Sequence, residues 1–293
     1  MNKTLKDVII AYNKADDQIL DISSMHLKSL PVSIIPKDVE MLICNDNKLT
    51  KIPNLNKFEK LIILDCSDNL LTDIPSLNNL EELDCSNNKL TSIQKCILLK
   101  RLRCNYNKLT KIPHMDNLEN LDCKNNRIDN VCNYDKLIRL DCKENSLSEI
   151  KHSYKTLKYL DCSYNKINNI SELPKLEELM CQSNNIQKMR KYPNLVYLEC
   201  QYNKINNLPN YPKLTDLACN NNRLKNIPDC QKLTTINCHH NIINRIKYFS
   251  RLEFLTCNIS TKLSSSYKIH SHAQSIKDNE EIISIVMSSH KDK

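Results

Sequence analysis

The sequence predicts a repeat solenoid with a parallel β-sheet along one face, and three observations predict it. Cysteine recurs at a nearly constant interval, asparagine follows it at a constant offset, and apolar residues keep register with both. Twelve cysteines stand at Cys44, Cys66, Cys85, Cys104, Cys123, Cys142, Cys162, Cys181, Cys200, Cys219, Cys238 and Cys257; the spacings are 22, then 19 four times, 20 once and 19 five times. Eleven of the twelve have Asn three residues later, from Asn47 to Asn241, and Cys257 alone has Ser260 there.

The apolar positions travel with the cysteine. Two residues before it stands Leu or, once, Ile (Leu42 to Leu255), and five before it Val39, Leu61, Leu80 and their successors. After the Asn come Leu or Ile at two and an aliphatic residue at five, as in Leu90 and Ile93. Alternation of Leu and Cys has period two, which predicts a short strand with both side chains inward. A coil of about 19 residues cannot bury its own apolar face, whereas a stack of coils can, each strand about 4.8 Å from the last. The Asn is a polar residue at a core-facing turn, so its amide is expected to bond backbone groups of neighbouring coils. Eleven residues after the Cys lies another inward position, held by Leu55, Leu77, Cys96, Met115, Tyr134, Leu173, Tyr192, Tyr211, Cys230 and Phe249. Cys132 takes the slot of Pro53, Pro75, Pro113, Pro209 and Pro228. Those prolines, with Pro174, Pro193 and Pro212, disfavour helix on the far side of each coil, where extended segments and turns are expected.

The pattern L-x-x-L-x-C-x-x-N-x-L-x-x-I-P resembles the leucine-rich-repeat family, with Cys in the third leucine slot. The resemblance covers roughly residues 37 to 257 and implies the short-coil type, a horseshoe or superhelix with the sheet on its concave face. LDISSMHLKSLP reads as a degenerate first repeat, with Ile22 in the Cys slot and Met25 in the Asn slot. The Cys-for-Leu, Asn- and Lys-rich style resembles repeat proteins encoded by large DNA viruses of amoebae or by A/T-rich protists. The family implies a non-enzymatic protein-interaction scaffold.

The ends of an open solenoid need caps. Residues 1–17 are read as a helical cap, with Leu5, Val8, Ile9 and Tyr12 at helical spacing. Residues 18–263 form the solenoid, of about 12–13 coils, and 264–293 a tail. There Ile276, Ile283 and Met287, beside Ile282 and Val286, predict a short amphipathic capping helix.

Composition narrows the chemistry. The chain has 293 residues, no Gly, no Trp and three Phe. Without Gly, dinucleotide fingerprints, phosphate-binding loops and nucleophile elbows are excluded. The net charge of +8 is read as a solvated, Lys-rich surface. The N-terminus lacks the pattern of a signal peptide and no apolar run is long enough to span a membrane. The expectation is a cytoplasmic monomer with free thiols, no cofactor and no membrane. The cysteines stand 19 apart, not in metal-ligand pairs, and read as small apolar fillers. His239-His240 and His270-x-His272 lack further ligands nearby, so no metal and no catalytic residue is assigned.

The candidate surface is the concave face, with solvent positions expected three before, one before and one after each Cys. The row one before carries Asp65, Asp84, Arg103, Asp122, Asp141, Asp161, Met180 and Glu199. Basic Arg101, Arg103, Lys124, Arg139 and Lys143 interleave with the carboxylates. Two readings stay open: a self-compensated charge lattice, or an acidic stripe for a basic partner segment. The row three before carries Tyr159, Glu178, Tyr197 and Phe254, and with Met180 these resemble interface anchors. A stripe one after the ladder Asn (Lys48, Lys89, Lys108, Arg127, Lys166, Lys204 and Arg223) supports the alternative of nucleic-acid or polyanion binding along a basic edge. Aromatic residues do not alternate with it as in single-strand binders.

Overall fold

The computed structural model of the protein describes residues 4–12, 18–267, 269–277 and 280–287. Expectations for 1–3, 13–17, 268, 278–279 and 288–293 lie outside the described residues, as do the side chains of 269–281. The chain divides into two compact units, Met1–Ser146 and Leu147–Lys293. Both are parallel β-solenoids, with about 13 turns in all.

Unit 1 opens with helix α1 (Leu5–Tyr12). Thr4 and Asp7 cap it reciprocally: the Thr4 hydroxyl accepts from the Asp7 N–H at 3.3 Å, and Asp7 accepts from the Thr4 N–H at 2.9 Å. Leu5, Val8 and Ile9 are half-buried and Tyr12 is buried, its hydroxyl donating to Asp38 at 3.1 Å. Seven strands follow: β1 (Ile19–Asp21), β2 (Met41–Ile43), β3 (Ile63–Asp65), β4 (Glu82–Asp84), β5 (Arg101–Arg103), β6 (Asn120–Asp122) and β7 (Arg139–Asp141). Each pairs in parallel with the next in exact coil register, Leu opposite Leu.

Unit 2 contains β8 (Glu149–Ile150), β9 (Tyr159–Asp161), β10 (Asn169–Ile170), β11 (Glu178–Met180), β12 (Tyr197–Glu199), β13 (Asp216–Ala218), β14 (Thr235–Asn237), β15 (Arg245–Ile246), β16 (Phe254–Asn258), β17 (Lys262–Leu263), β18 (Ile269–Lys277) and β19 (Glu280–Met287). Its main sheet runs β9, β11, β12, β13, β14, β16, β19, β18; β8 with β10 and β15 with β17 make two small pairs on the far side. Beyond α1 the described residues contain no helix.

The inward rows are buried throughout: the Leu file two before the Cys, the ladder Cys, and the row eleven after it. Fully burying a Leu contributes roughly 1.5–3 kcal/mol, and the stack repeats that gain at every coil. Tyr192 and Tyr211 stack at 6.4 Å within this core, their hydroxyls donating to the carbonyls of Ser171 and Arg190. In the 20-residue coil the corresponding core residue is Tyr154, one place later than the 19-residue register predicts.

The Asn ladder has a complete geometry. The Asn126 amide donates to the carbonyls of Cys104 (3.0 Å) and Cys123 (3.0 Å), and its oxygen accepts from the Leu109 N–H at 2.9 Å. Asn69, Asn88, Asn107, Asn184, Asn203 and Asn222 repeat the arrangement. Near the end of the stack, where Ser260 replaces the Asn, the buried Thr261 hydroxyl donates to the Ile243 carbonyl at 3.2 Å.

One structural slot carries no strict residue code. The second residue after each of the ladder cysteines from Cys44 to Cys238 is left-handed, with φ between 50° and 56°, in a chain without Gly. Asp46, Asp68, Asn87, Asn125 and Asn221 suit this region; Tyr106, Glu144, Tyr164 and Tyr202 do not. Inter-coil bonds hold the slot, as where the Tyr202 N–H meets the Asn220 carbonyl at 3.1 Å. Replacing exposed Tyr202 with Asn is therefore expected to stabilise the fold by about 0.5–1 kcal/mol. A raised urea midpoint checks it; an unchanged or lowered one refutes the strain argument.

Two expectations are corrected. The capping helix at the C-terminus is a β-hairpin, β18 with β19, and β19 pairs antiparallel with β16, Leu255 opposite Ile285. Ile282, Ile285 and Met287 are buried. The run Ile282-Ile283-Ser284-Ile285-Val286 is rich in β-branched residues, which lose side-chain freedom in a helix. The open edge of β16 offers unpaired backbone groups that a helix cannot use. The row one after the Cys is only partly solvent-facing: Ser67, Ser86, Ser163 and Asn220 are buried, and the other residues of that row, Lys124 and Lys143 among them, are half-buried. The strands of the repeats are three residues long and end before the Cys, save β16, so the chain is leaving the sheet at this row.

Candidate functional site

The solvent face of each sheet consists of two rows, three and one residues before the Cys, flanking the buried Leu. In unit 1 the rows hold Asp65, Glu82, Asp84, Arg101, Arg103, Asn120, Asp122, Arg139 and Asp141. The structure gives the aspartates a local task that the sequence reading missed. An oxygen of Asp65, Asp84, Asp122 and Asp141 accepts the backbone N–H two residues on, at 3.0, 3.0, 3.3 and 3.2 Å. Such Asx turns end the strand and satisfy a donor that leaves the ladder. The signal was present as D-C-S and D-C-K after each Leu.

The unit 1 charges also compensate one another. Arg101 pairs with Glu82, Arg103 approaches Asp84 at 3.8 Å, and the Lys124 ammonium lies 3.5 Å from Asp122 and 4.0 Å from Asp141. Partial burial pushes the Asp84 carboxyl up, aided by Asp65 and opposed by its Ser86 bonds and Arg103.

Unit 2 differs. Its rows read Tyr159, Glu178, Tyr197, Asp216, Thr235 and Phe254, and Asp161, Met180, Glu199, Ala218, Asn237 and Thr256, with no Lys or Arg. Asp161 makes the same Asx turn, to the Ser163 N–H at 2.9 Å. Tyr159, Met180 and Tyr197 are half-buried and adjoin: β11 carries Met180 between β9 and β12, and the Tyr159 hydroxyl lies 3.8 Å from the Met180 sulfur. Tyr197 donates to Glu199. Burial pushes the Tyr197 phenol up, and Glu199, Asp216 and Glu178 push it further. Asp216 on β13, opposite Tyr197 in register, completes this patch. Phe254 is half exposed at 51%, but β13 and β14 separate it from Tyr197, so the structure does not bring it to the tyrosines.

The ladder thiols are enclosed. Burial raises Cys44 to about 12 and pushes Cys66, Cys85, Cys104 and Cys123 well above the ordinary value. Such neutral thiols are neither nucleophiles nor metal ligands at neutral pH. Among the described residues no group of three or more His, Cys, Asp or Glu is placed to hold a metal, and no helix is long and apolar enough to cross a membrane.

Comparison with known proteins agrees with this architecture. Residues 59–95 match the family model for leucine-rich repeats (two copies). No curated protein matches the sequence at a significant level. Among solved structures, a leucine-rich-repeat protein of Leptospira interrogans is 23% identical, with a TM-score of 0.62 over 90% of this chain and 87% of that one. YopM, a leucine-rich effector protein from Yersinia pestis, is 20% identical, with a TM-score of 0.68 over 88% and 86%. The Toll–Spätzle complex of Drosophila gives 19% identity and a TM-score of 0.63 over 76% of this chain, which spans 38% of that one. With inward Leu and Cys rows, an Asn ladder and a parallel sheet in each unit, the chain has the fold of a leucine-rich-repeat solenoid, with repeats of about 19 residues.

Proposed function

We propose that the chain is a non-enzymatic scaffold that receives a protein partner on the solvent-facing, concave side of its sheet, in a reducing compartment. The observation that carries this reading is the unit 2 patch of Tyr159, Met180 and Tyr197 among Glu178, Glu199 and Asp216, in rows without a basic residue. Its aromatic and thioether groups are partly ordered before any partner arrives, which lowers the entropic cost of binding. Tyr anchors are common binding hot spots, and each truncation costs on the order of 1–2 kcal/mol. The leucine-rich fold generally serves protein–protein interaction, and the Toll–Spätzle neighbour is itself a protein complex.

Affinity purification with mass spectrometry from the native cell tests the reading. Tyr159→Ala/Tyr197→Ala is expected to lower partner recovery at least tenfold. Equal recovery by the double variant, or no specific protein with the native chain, would count against it.

A second reading rests on the basic edge. Lys48, Lys89, Lys108, Arg127, Lys166, Lys204 and Arg223 are exposed, and none has an acidic partner within 4 Å among the described residues. This edge suits nucleic acid or another polyanion if retention on heparin falls steeply with salt; elution at low salt removes it.

A further inference from the structure

We infer that the sheet face of unit 1 carries an arginine-lined recognition pocket that takes a carboxylate-bearing segment of a protein partner. The inference rests on the scaffold reading and supplies the partner chemistry for this unit. A cavity of about 360 Å³ opens over β6, lined by Arg101, Arg103, Asn120, Asp122 and Arg139 with the backbone of Leu102 and Leu121. Register creates it: Arg101 pairs with Asn120 and Asn120 with Arg139. Neighbouring strands lie about 4.8 Å apart, so two long guanidinium arms stand about 10 Å apart at their roots, across one short amide.

The Arg101 and Arg103 guanidinium groups are oriented from one side. Glu82 holds Arg101 and Asp84 lies 3.8 Å from Arg103, both from β4, yet the two arginine side chains remain 55% and 65% exposed. A guanidinium presents five N–H donors in a rigid fork, so one carboxylate on one edge leaves donors for a second. Glu82 and Asp84 are thus positioning residues. Asp122, the acid in the lining, is already engaged by the Lys124 N–H at 3.3 Å and its ammonium at 3.5 Å.

Charge complementarity selects the ligand. The lining favours an anion, but the same face carries Asp65, Glu82 and Asp84 to one side and Asp141 to the other. A phosphodiester chain, with charge at every residue, would meet those carboxylates. A peptide with separate Glu or Asp side chains can place one over Asn120 and keep neutral residues at the flanks.

The test uses the full chain and a fluorescein-labelled dodecapeptide of Ser with a single central Glu, followed by anisotropy at low salt. Native protein is expected to bind it, Arg101→Gln/Arg139→Gln to bind at least tenfold more weakly, and Arg103→Gln at least threefold. Lys225→Gln, outside the pocket, should bind as native protein does. Circular dichroism verifies that each variant is folded. Absence of peptide binding, or equal binding by the folded double variant, overturns the inference. So does tighter binding of a 12-nucleotide RNA that the same double variant loses. If the peptide fails while Tyr159→Ala/Tyr197→Ala still loses its partner, the pocket falls and the scaffold reading stands.

Discussion

Raising the pH from 8 to about 10 is expected to unfold this protein, over a narrower pH range than ordinary alkaline denaturation. Ten ladder thiols, Cys44, Cys66, Cys85, Cys104, Cys123, Cys162, Cys181, Cys200, Cys219 and Cys238, have pKa values raised by burial above the ordinary 9.0. A raised value means that the folded chain favours the protonated thiol. Below the unfolded pKa both states hold the proton and stability is fully present. Above it the unfolded chain ionises while the folded one does not, so stability falls as pH climbs toward the folded value, about 12 for Cys44. One pH unit above the unfolded pKa, each such thiol removes on the order of 1 kcal/mol, and together they remove on the order of 10 kcal/mol. That matches the whole stability of an ordinary domain, roughly 5–15 kcal/mol. Circular dichroism against pH checks this, and Cys85→Ala/Cys104→Ala/Cys123→Ala should flatten the transition. Native ellipticity surviving at pH 11 would refute it.

Removing one rung of the amide ladder is the second large effect. Asn184 is 8% exposed; its amide donates to the Cys162 and Cys181 carbonyls at 3.0 and 3.1 Å, and its oxygen accepts from the Ile167 N–H at 2.8 Å. Asn184→Ala orphans the buried Ile167 N–H and takes one of two amide donors from each of the Cys162 and Cys181 carbonyls, which keep Asn165 and Asn203. The orphaned donor costs about 1–3 kcal/mol and each weakened carbonyl adds less, so a loss of about 2–3 kcal/mol is expected. Asn185→Ala is the matched control, because that exposed side chain only accepts from Lys204 at 3.0 Å and should change stability by under about 0.5 kcal/mol. Urea unfolding reads both, and hydrogen exchange at the Ile167 amide should accelerate in the first variant alone. Equal midpoints for the two variants would mean that the ladder is decorative.

The coil register was legible because its cause is local and repeated. A residue that recurs in phase with Leu at every coil has the same neighbours at every coil, so period alone identifies the buried Cys, the bonded Asn and the row that ends in Phe249. Two features escaped for the opposite reason. The left-handed slot after each Cys accepts Asp, Asn, Ser, His, Glu and Tyr alike, because bonds between coils hold its conformation and no side-chain type marks it. The carboxylates of Asp65 and Asp84 looked free for a partner, but half their bonding capacity closes the turn beneath them.

By itself the sequence determined the solenoid, the inward faces and the two outward rows on the strands, because burial follows from periodicity whenever each unit stacks on a copy of itself. Only the tertiary structure decided what happens where that repetition stops or where neighbours differ. Ile282 to Val286 became strand because β16 offered an open edge, and Arg101 and Arg139 acquired a pocket because a short Asn120 stood between them in register. Both outcomes depend on which residue lies on the adjacent coil, a relation across the stack that no local pattern contains.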